Sequence, residues 1–163
     1  MFSKDCDKVF KKLNSLNISY EVVSHPPALV MEEADKYIEG KAGVRTKTLF
    51  VCDKKKQNFY LIAMDENKRL DLKALGEKIN QKNLKLVSEE RMENKIGLTK
   101  GMVSVFGVIN NEEKDIIVIL DKEMENEIVT FYANDCTKTI FIKFQDVVRA
   151  LEHIGNEAIV ASL

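Results

Sequence analysis

An α/β fold of the α+β type, one domain with a mixed and mostly antiparallel central sheet surrounded by helices, is what this sequence predicts. Three observations carry that expectation. The 163 residues with 45% hydrophobic content suit one compact core, since a domain takes roughly 100 to 200 residues. Helical and strand-like segments are interspersed irregularly, unlike the strict alternation of a doubly wound parallel sheet. Several neighbouring strand-like segments are joined by short turns, as hairpins are. Residues 1–163 show no repeat, linker or break in composition.

The elements follow in order. Ser3 is placed to cap a first helix in which Cys6, Val9, Phe10, Leu13 and Leu16 recur at three- and four-residue steps, before the polar stretch from Asn14 to Asn17 ends it. Ser19 to Ser24, with Tyr20, Val22 and Val23, reads as a strand stopped by His25, Pro26 and Pro27, because a Pro-Pro pair cannot donate to a ladder. Val30 to Ile38 reads as a short helix. Gly40 and Gly43 bracket a loop into a hairpin of Thr46 to Cys52 and Asn58 to Ala63, with Lys54, Lys55 and Lys56 at its tip. Asp71 caps a helix from Leu72 to Ile79; Leu84 to Val87 is a strand; Ser88 caps a helix that Gly97 stops. Three strand-like segments come next, Met102 to Ile109, Asp115 to Leu120 and Ile128 to Phe131, with Asn110 to Lys114 as a turn. Thr137 to Lys143 is a further strand, Phe144 to Ile154 a helix stopped by Gly155, and Glu157 to Ala161 a last strand.

Composition narrows the function. With 25 basic and 26 acidic residues, net charge −1, no whole-molecule field draws the protein to nucleic acid, so any such contact uses a local patch. The longest apolar stretch, Ile116 to Leu120, is far short of the roughly 20 residues of a membrane helix, and no signal-peptide core follows Met1. A cytoplasmic protein is expected. Cys6, Cys52 and Cys136 are an odd, scattered set without ligand spacing, which suits a reducing compartment and predicts neither disulfides nor a metal site. Phosphate-binding, nucleophile-elbow and zinc-protease signatures are missing. Polar residues at turns and strand ends remain. His25 reads as a turn histidine or a functional one, Lys47 as one solvated lysine among many or a site cation, and Gly101 with Gly107 as conformational glycines or phosphate binders.

Five segments taken together resemble a known family: SHPPALVMEEA (Ser24 to Ala34), GVRTKTLFV (Gly43 to Val51), KRLDLKALGEKI (Lys68 to Ile79), SEERMENKIGLTKGMVSVFGVIN (Ser88 to Asn110) and FYANDCTKTI (Phe131 to Ile140). In order and spacing, over roughly residues 18 to 163, they are similar to the YbaK/prolyl-tRNA synthetase-associated editing domain. The SEER and KRLDL segments look most like its free-standing ProX-like branch, which deacylates mischarged Ala-tRNA(Pro). The resemblance implies a mixed α/β sheet fold and a trans-acting hydrolase of the aminoacyl ester. Its partners are mischarged tRNA(Pro) and prolyl-tRNA synthetase, with no membrane, no DNA and no cofactor. Deacylation of Cys- or Ser-tRNA, or binding without turnover, are the alternatives.

The same resemblance assigns residues. The lysine of the family's TKxLF strand falls on Lys47, and its glycine-led GxxxP loop on Gly101, Met102, Val103, Ser104 and Val105, with valine in place of the proline. Lys47 and Gly101 are thereby the catalytic candidates, one positioning the substrate and the other offering a backbone donor. The family's FHPxxNT segment falls on Phe131 to Thr137, its histidine replaced by Tyr132, and the asparagine after the signature lysine is Thr48. Val22, His25, Val30, Thr46, Ser104, Tyr132 and Asn134 are implied to contact substrate. Val22 and Val30 line a small pocket or are plain core. Cys136 is an alternative nucleophile, with no histidine near it in sequence.

Overall fold

The computed structural model describes residues 2–163, with side chains from Cys6 onward. Five helices and eight strands alternate in the order α1 (Phe2–Ser15), β1 (Tyr20–Ser24), α2 (Met31–Tyr37), β2 (Thr46–Cys52), β3 (Phe59–Asp65), α3 (Leu72–Ile79), β4 (Lys85–Leu86), α4 (Glu89–Ile96), β5 (Ile116–Asp121), β6 (Ile128–Tyr132), β7 (Lys138–Lys143), α5 (Phe144–Ile154) and β8 (Ala158–Ala161). Short 3-10 helices at Val105–Asn110 and Lys122–Met124 precede and follow β5. The expected caps are made: Asp71 accepts from the N–H groups of Lys73 and Ala74, and Ser88 from that of Arg91. The helix α1 begins at Phe2, so Ser3 falls within it; its side chain lies outside the described residues.

The strands form two sheets. One is antiparallel, in the order β1-β7-β6; the other runs β4-β2-β3-β5-β8, antiparallel up to β3 and parallel from β3 through β5 to β8. The main core lies between them and gathers Leu61, Val118 and Leu120 from the larger sheet with Phe131, Ile140 and Ile142 from the smaller. Alternation along β2 sends Phe50 and Cys52 into this core and Val51 to the opposite face, where α3 covers Tyr60, Ile62 and Ile119 with Leu75. Among the described residues no helix is long and apolar enough to cross a membrane.

One expected strand is not one. Met102 to Ile109 folds as a loop and the 3-10 helix, with Val105, Phe106, Gly107 and Val108 all buried in succession. Consecutive burial does not by itself exclude a strand, since β3 is buried from Phe59 to Met64; here the local hydrogen bonds close a coil instead. Ser104 starts that coil: its hydroxyl accepts from Phe106 N–H (3.2 Å) and its carbonyl from Gly107 N–H (2.9 Å). At Gly107 a Cβ would lie 3.0 Å from the Leu98 side chain.

The two sheets are tied where the chain enters β2. Val44 N–H donates to the Ile128 carbonyl (2.8 Å), and the Val44 carbonyl accepts from Thr130 N–H (3.1 Å). The Thr46 hydroxyl donates to the Thr130 carbonyl. Thr46 N–H donates to the Thr130 hydroxyl oxygen (3.3 Å), which itself donates to Val44 (3.2 Å). Thr130→Val removes both bonds of a buried hydroxyl, so we expect a loss of about 1–3 kcal/mol. A lowered urea midpoint at unchanged m-value would register it; an unchanged midpoint would show the tie to be dispensable.

Candidate active site

A cleft of about 730 Å³ opens beside the N-terminal half of β2. Leu29 and Val30 from the loop before α2, Met92 from α4 and Phe131 from β6 supply apolar wall, while Thr46, Lys47, Glu66 and Tyr132 supply polar groups. The loop Lys100–Gly101–Met102–Val103 closes one side, with Lys100, Gly101 and Val103 on the wall.

Lys47 is held from behind. Its Nζ donates to the Lys68 carbonyl, in the turn that follows β3. Lys68 is itself anchored by the Asp121 carboxylate at 2.6 Å and Glu123 at 2.7 Å, and Asp121 is buried. One of the three ammonium N–H groups of Lys47 is thus spent on the protein, and the head is kept at the cleft wall. Arg45, its neighbour but one, is a clamp: the guanidinium donates to the carbonyls of Gly43, Ile38 and Lys41 and lies 5.3 Å from the Phe141 ring centroid.

Gly101 is required twice over. Its φ is +94°, a region in which side chains are strained, and a Cβ would lie 2.9 Å from the Leu29 carbonyl oxygen. The loop therefore presses backbone against backbone at the cleft.

Tyr132 lines the cleft, and His25 packs behind it. The Tyr132 hydroxyl donates to the Ala28 carbonyl at 2.6 Å, and burial pushes its pKa up to about 12. His25 stacks on Tyr37, with ring centroids 5.3 Å apart, and lies tilted against Tyr132 at 6.2 Å. Its Nδ1 lies 2.9 Å from the Pro26 carbonyl, which only accepts, so Nδ1 carries the proton. In the neutral ring Nε2 then accepts from the Thr139 hydroxyl (2.8 Å), and Thr139 reaches the cleft. His25 thus stands behind the cleft wall.

Of the residues singled out from sequence, Lys47, Gly101, Val30, Thr46 and Tyr132 meet at the cleft. Val22 does not: it lies opposite Ile140 on the edge strand of the smaller sheet, 38% exposed and off the cleft wall. Ser104 is buried and off the cleft wall, occupied with its cap. Asn134 is also buried, at φ +57°, its side-chain amide donating to the Phe106 carbonyl at 3.1 Å. Cys136 is buried away from the cleft, and burial raises its thiol pKa, which disfavours the thiolate a nucleophile needs.

Sequence reading missed a carboxyl pair on the cleft wall. Asp35 comes from α2 and Glu66 from the turn after β3, and the two are hydrogen-bonded. Burial, then the bond to Asp35 and its charge, push the Glu66 carboxyl up to about 7 against the opposing pull of Arg45. The folded protein therefore keeps the proton that an unfolded chain gives up near 4.5. The resulting stability is full below that pH and lost as pH rises through about 7. Glu66→Gln stays neutral throughout, so we expect its thermal midpoint to match wild type near about pH 4 and to exceed it near about pH 8. Midpoints that differ equally at both values would remove the pair from this account.

Comparison with known proteins agrees with this architecture. Residues 25–150 match the aminoacyl-tRNA editing domain. The prolyl-tRNA editing protein ProX of Acetoanaerobium sticklandii is 34% identical over 149 residues, 91% of each chain. The prolyl-tRNA synthetase associated domain-containing protein 1 of Mus musculus is 26% identical over 155 residues, 92% of this chain and 91% of that one. Among solved structures, hypothetical protein APE2540 superposes with a TM-score of 0.78 at 17% identity, over 95% of this chain and 97% of its own. A candidate trans-editing enzyme for prolyl-tRNA synthetase does so at 0.72 and 18%, over 98% and 96%. At such identities these two show the fold alone. The domain match and the bacterial relative show more: the chain belongs to the aminoacyl-tRNA editing domain family, and with it to the aminoacyl-tRNA deacylases.

Proposed function

We propose that residues 1–163 form one trans-acting editing domain that hydrolyses the ester of alanine mischarged on tRNA(Pro). One observation carries the reading. Lys47 and Gly101, which match the family's signature lysine and glycine-led loop, lie far apart in sequence yet line the same cleft. The ProX relative is named for prolyl-tRNA editing, which supports tRNA(Pro) as the carrier, work alongside prolyl-tRNA synthetase and a place in the cytoplasm.

The chemistry asked of the cleft is modest. A water oxygen attacks the ester carbonyl, the bond to the terminal ribose oxygen breaks, and that oxygen leaves with a proton as the free hydroxyl. Charge develops on the carbonyl oxygen, where a backbone N–H such as that of Gly101 is worth about 3–4 kcal/mol. Lys47, with two N–H groups left, holds the phosphate-ribose end so that the ester sits against the loop. The adjacent ribose hydroxyl orients the water. No metal or cofactor enters. Selectivity rests on exclusion, because attraction separates one methylene by only about 1–3 kcal/mol. Val30 and Tyr132 are the wall residues that would stop a proline ring.

Side-by-side deacylation of Ala-, Cys-, Ser- and Pro-tRNA(Pro) by the purified protein, without added metal, tests this. Alanine is expected to be released fastest and proline slowest. Lys47→Ala should cut the rate at least about tenfold with unchanged circular dichroism, as loss of a positioning contact does. Equal release of alanine and proline, or activity lost to EDTA and restored by zinc, would overturn the reading.

Binding without turnover is the second reading, and Tyr132 is the observation behind it. A phenol whose proton leaves only at about 12 cannot shuttle protons at neutral pH. If Tyr132 serves by shape and by its bond to Ala28, Tyr132→His changes the rate only a few fold, and Tyr132→Ala admits prolyl-tRNA. A gain of about a hundredfold in Tyr132→His would instead mark the natural protein as a binding module.

A further inference from the structure

On the outward-facing edge of β2 one residue has neither of its peptide groups paired. In this strand the odd-numbered residues face β3: Asp53 N–H donates to the Asn58 carbonyl, and the Arg45 carbonyl accepts from Glu66 N–H (2.9 Å). The even-numbered residues therefore face the other way. Val44 pairs with β6, Thr46 N–H is taken by Thr130, and the Phe50 carbonyl accepts from Val87 N–H (2.9 Å) beside β4. Thr48 lies between them. Neither its N–H nor its carbonyl has a hydrogen-bond partner among the described residues, and Thr48 lines the cleft next to Lys47. Groups from two different strands, β6 and β4, thus bond to the same edge and leave a gap centred on Thr48. From Thr46 to Phe50 it measures about 13 Å, at roughly 3.3 Å per residue.

We propose that this open rung of Thr48 holds the amino-acid part of the substrate, as the missing residue of a strand pair. The inference rests on the deacylase reading and adds the atoms that grip the amino acid. In a hydrogen-bonded antiparallel pair two residues exchange both N–H to carbonyl bonds. An aminoacyl ester offers the same two functions: its α-ammonium donates to the Thr48 carbonyl, and its ester carbonyl accepts from Thr48 N–H. The first bond is charge-assisted, and the Asp35–Glu66 pair on the same wall favours a cation there. The second bond strengthens as the carbonyl oxygen gains charge, so it acts in the transition state more than in the ground state. Main-chain recognition is blind to the side chain. The rung therefore fixes the reacting atoms of any aminoacyl group and leaves selection to the walls.

Thr48→Pro removes this N–H, and because the group faces away from β3 no ladder bond is lost. The variant should keep a near wild-type melting temperature while kcat/KM for Ala-tRNA(Pro) falls by about tenfold or more. Should the proline variant not fold, Thr48 replaced by its α-hydroxy acid, an amide-to-ester change, deletes the same N–H. Independently of turnover, the Thr48 amide proton should shift and exchange more slowly in the wild-type protein when 3′-alanylamino-3′-deoxyadenosine is added. Wild-type turnover in an N–H-deleted variant, or a Thr48 amide indifferent to the analogue, would overturn the rung. A wild-type protein that cleaves no aminoacyl-tRNA would overturn the deacylase reading instead, and the amide signal would still decide the rung.

Discussion

The outer edge of β2 is the constraint on which the rest of this structure depends. A strand edge buried in a protein must have its peptide groups satisfied. Here two different structures share that duty. The Val44–Thr46–Thr130 tie binds β2 to the smaller sheet, and the short β4 with Val87 covers the far end. Because β4 reaches only Val51 and Cys52, the middle of β2 has no strand neighbour on that side. The cleft lies along this stretch, with Thr46 to Phe50 on its wall.

Around that opening the fold places a cation and a carboxyl pair. Lys47 is steadied through the Lys68 carbonyl, and Lys68 by two carboxylates. A single turn after β3 therefore aims the cation and, through Glu66, supplies a carboxyl whose proton is retained close to neutrality. A cation and a carboxyl pair thus line one cavity, although the protein as a whole has a net charge of only −1.

Behind Tyr132 on the cleft wall stand two further rings. Tyr37, His25 and Tyr132 lie in succession, and hydrogen bonds to Pro26, Thr139 and Ala28 fix the last two. The double proline stiffens the turn they grip. Such a wall suits exclusion, since a rigid boundary rejects a bulky ring where a yielding one would admit it. Gly101 presses on the same turn through Leu29, so the loop proposed to stabilise the oxyanion and the turn that shapes the pocket are in mutual contact.

Local chemistry made most of the fold legible in the sequence. Periodicity marked the helices, Asp71 and Ser88 marked their starts, Gly97 and Gly155 their ends, and β-branched runs the strands, because caps and side-chain alternation depend on neighbours a few residues away. Lys47 and Gly101 were legible through motifs. The segment from Met102 to Ile109 was not, since its residues suit a strand and the local bonds that start at Ser104 coil it. Val22 looked like a pocket residue, but the position of β1 at a sheet edge leaves it exposed. The Asp35–Glu66 pair and the open rung at Thr48 had no signal at all: the first joins residues from different elements, and the second depends on where β4 and β6 stop. Sequence alone determined which elements form, because that is settled by local hydrogen bonding and side-chain pattern. Tertiary structure decided which groups share the cleft and which peptide bond is left open, because those follow from the distances between strands remote along the chain.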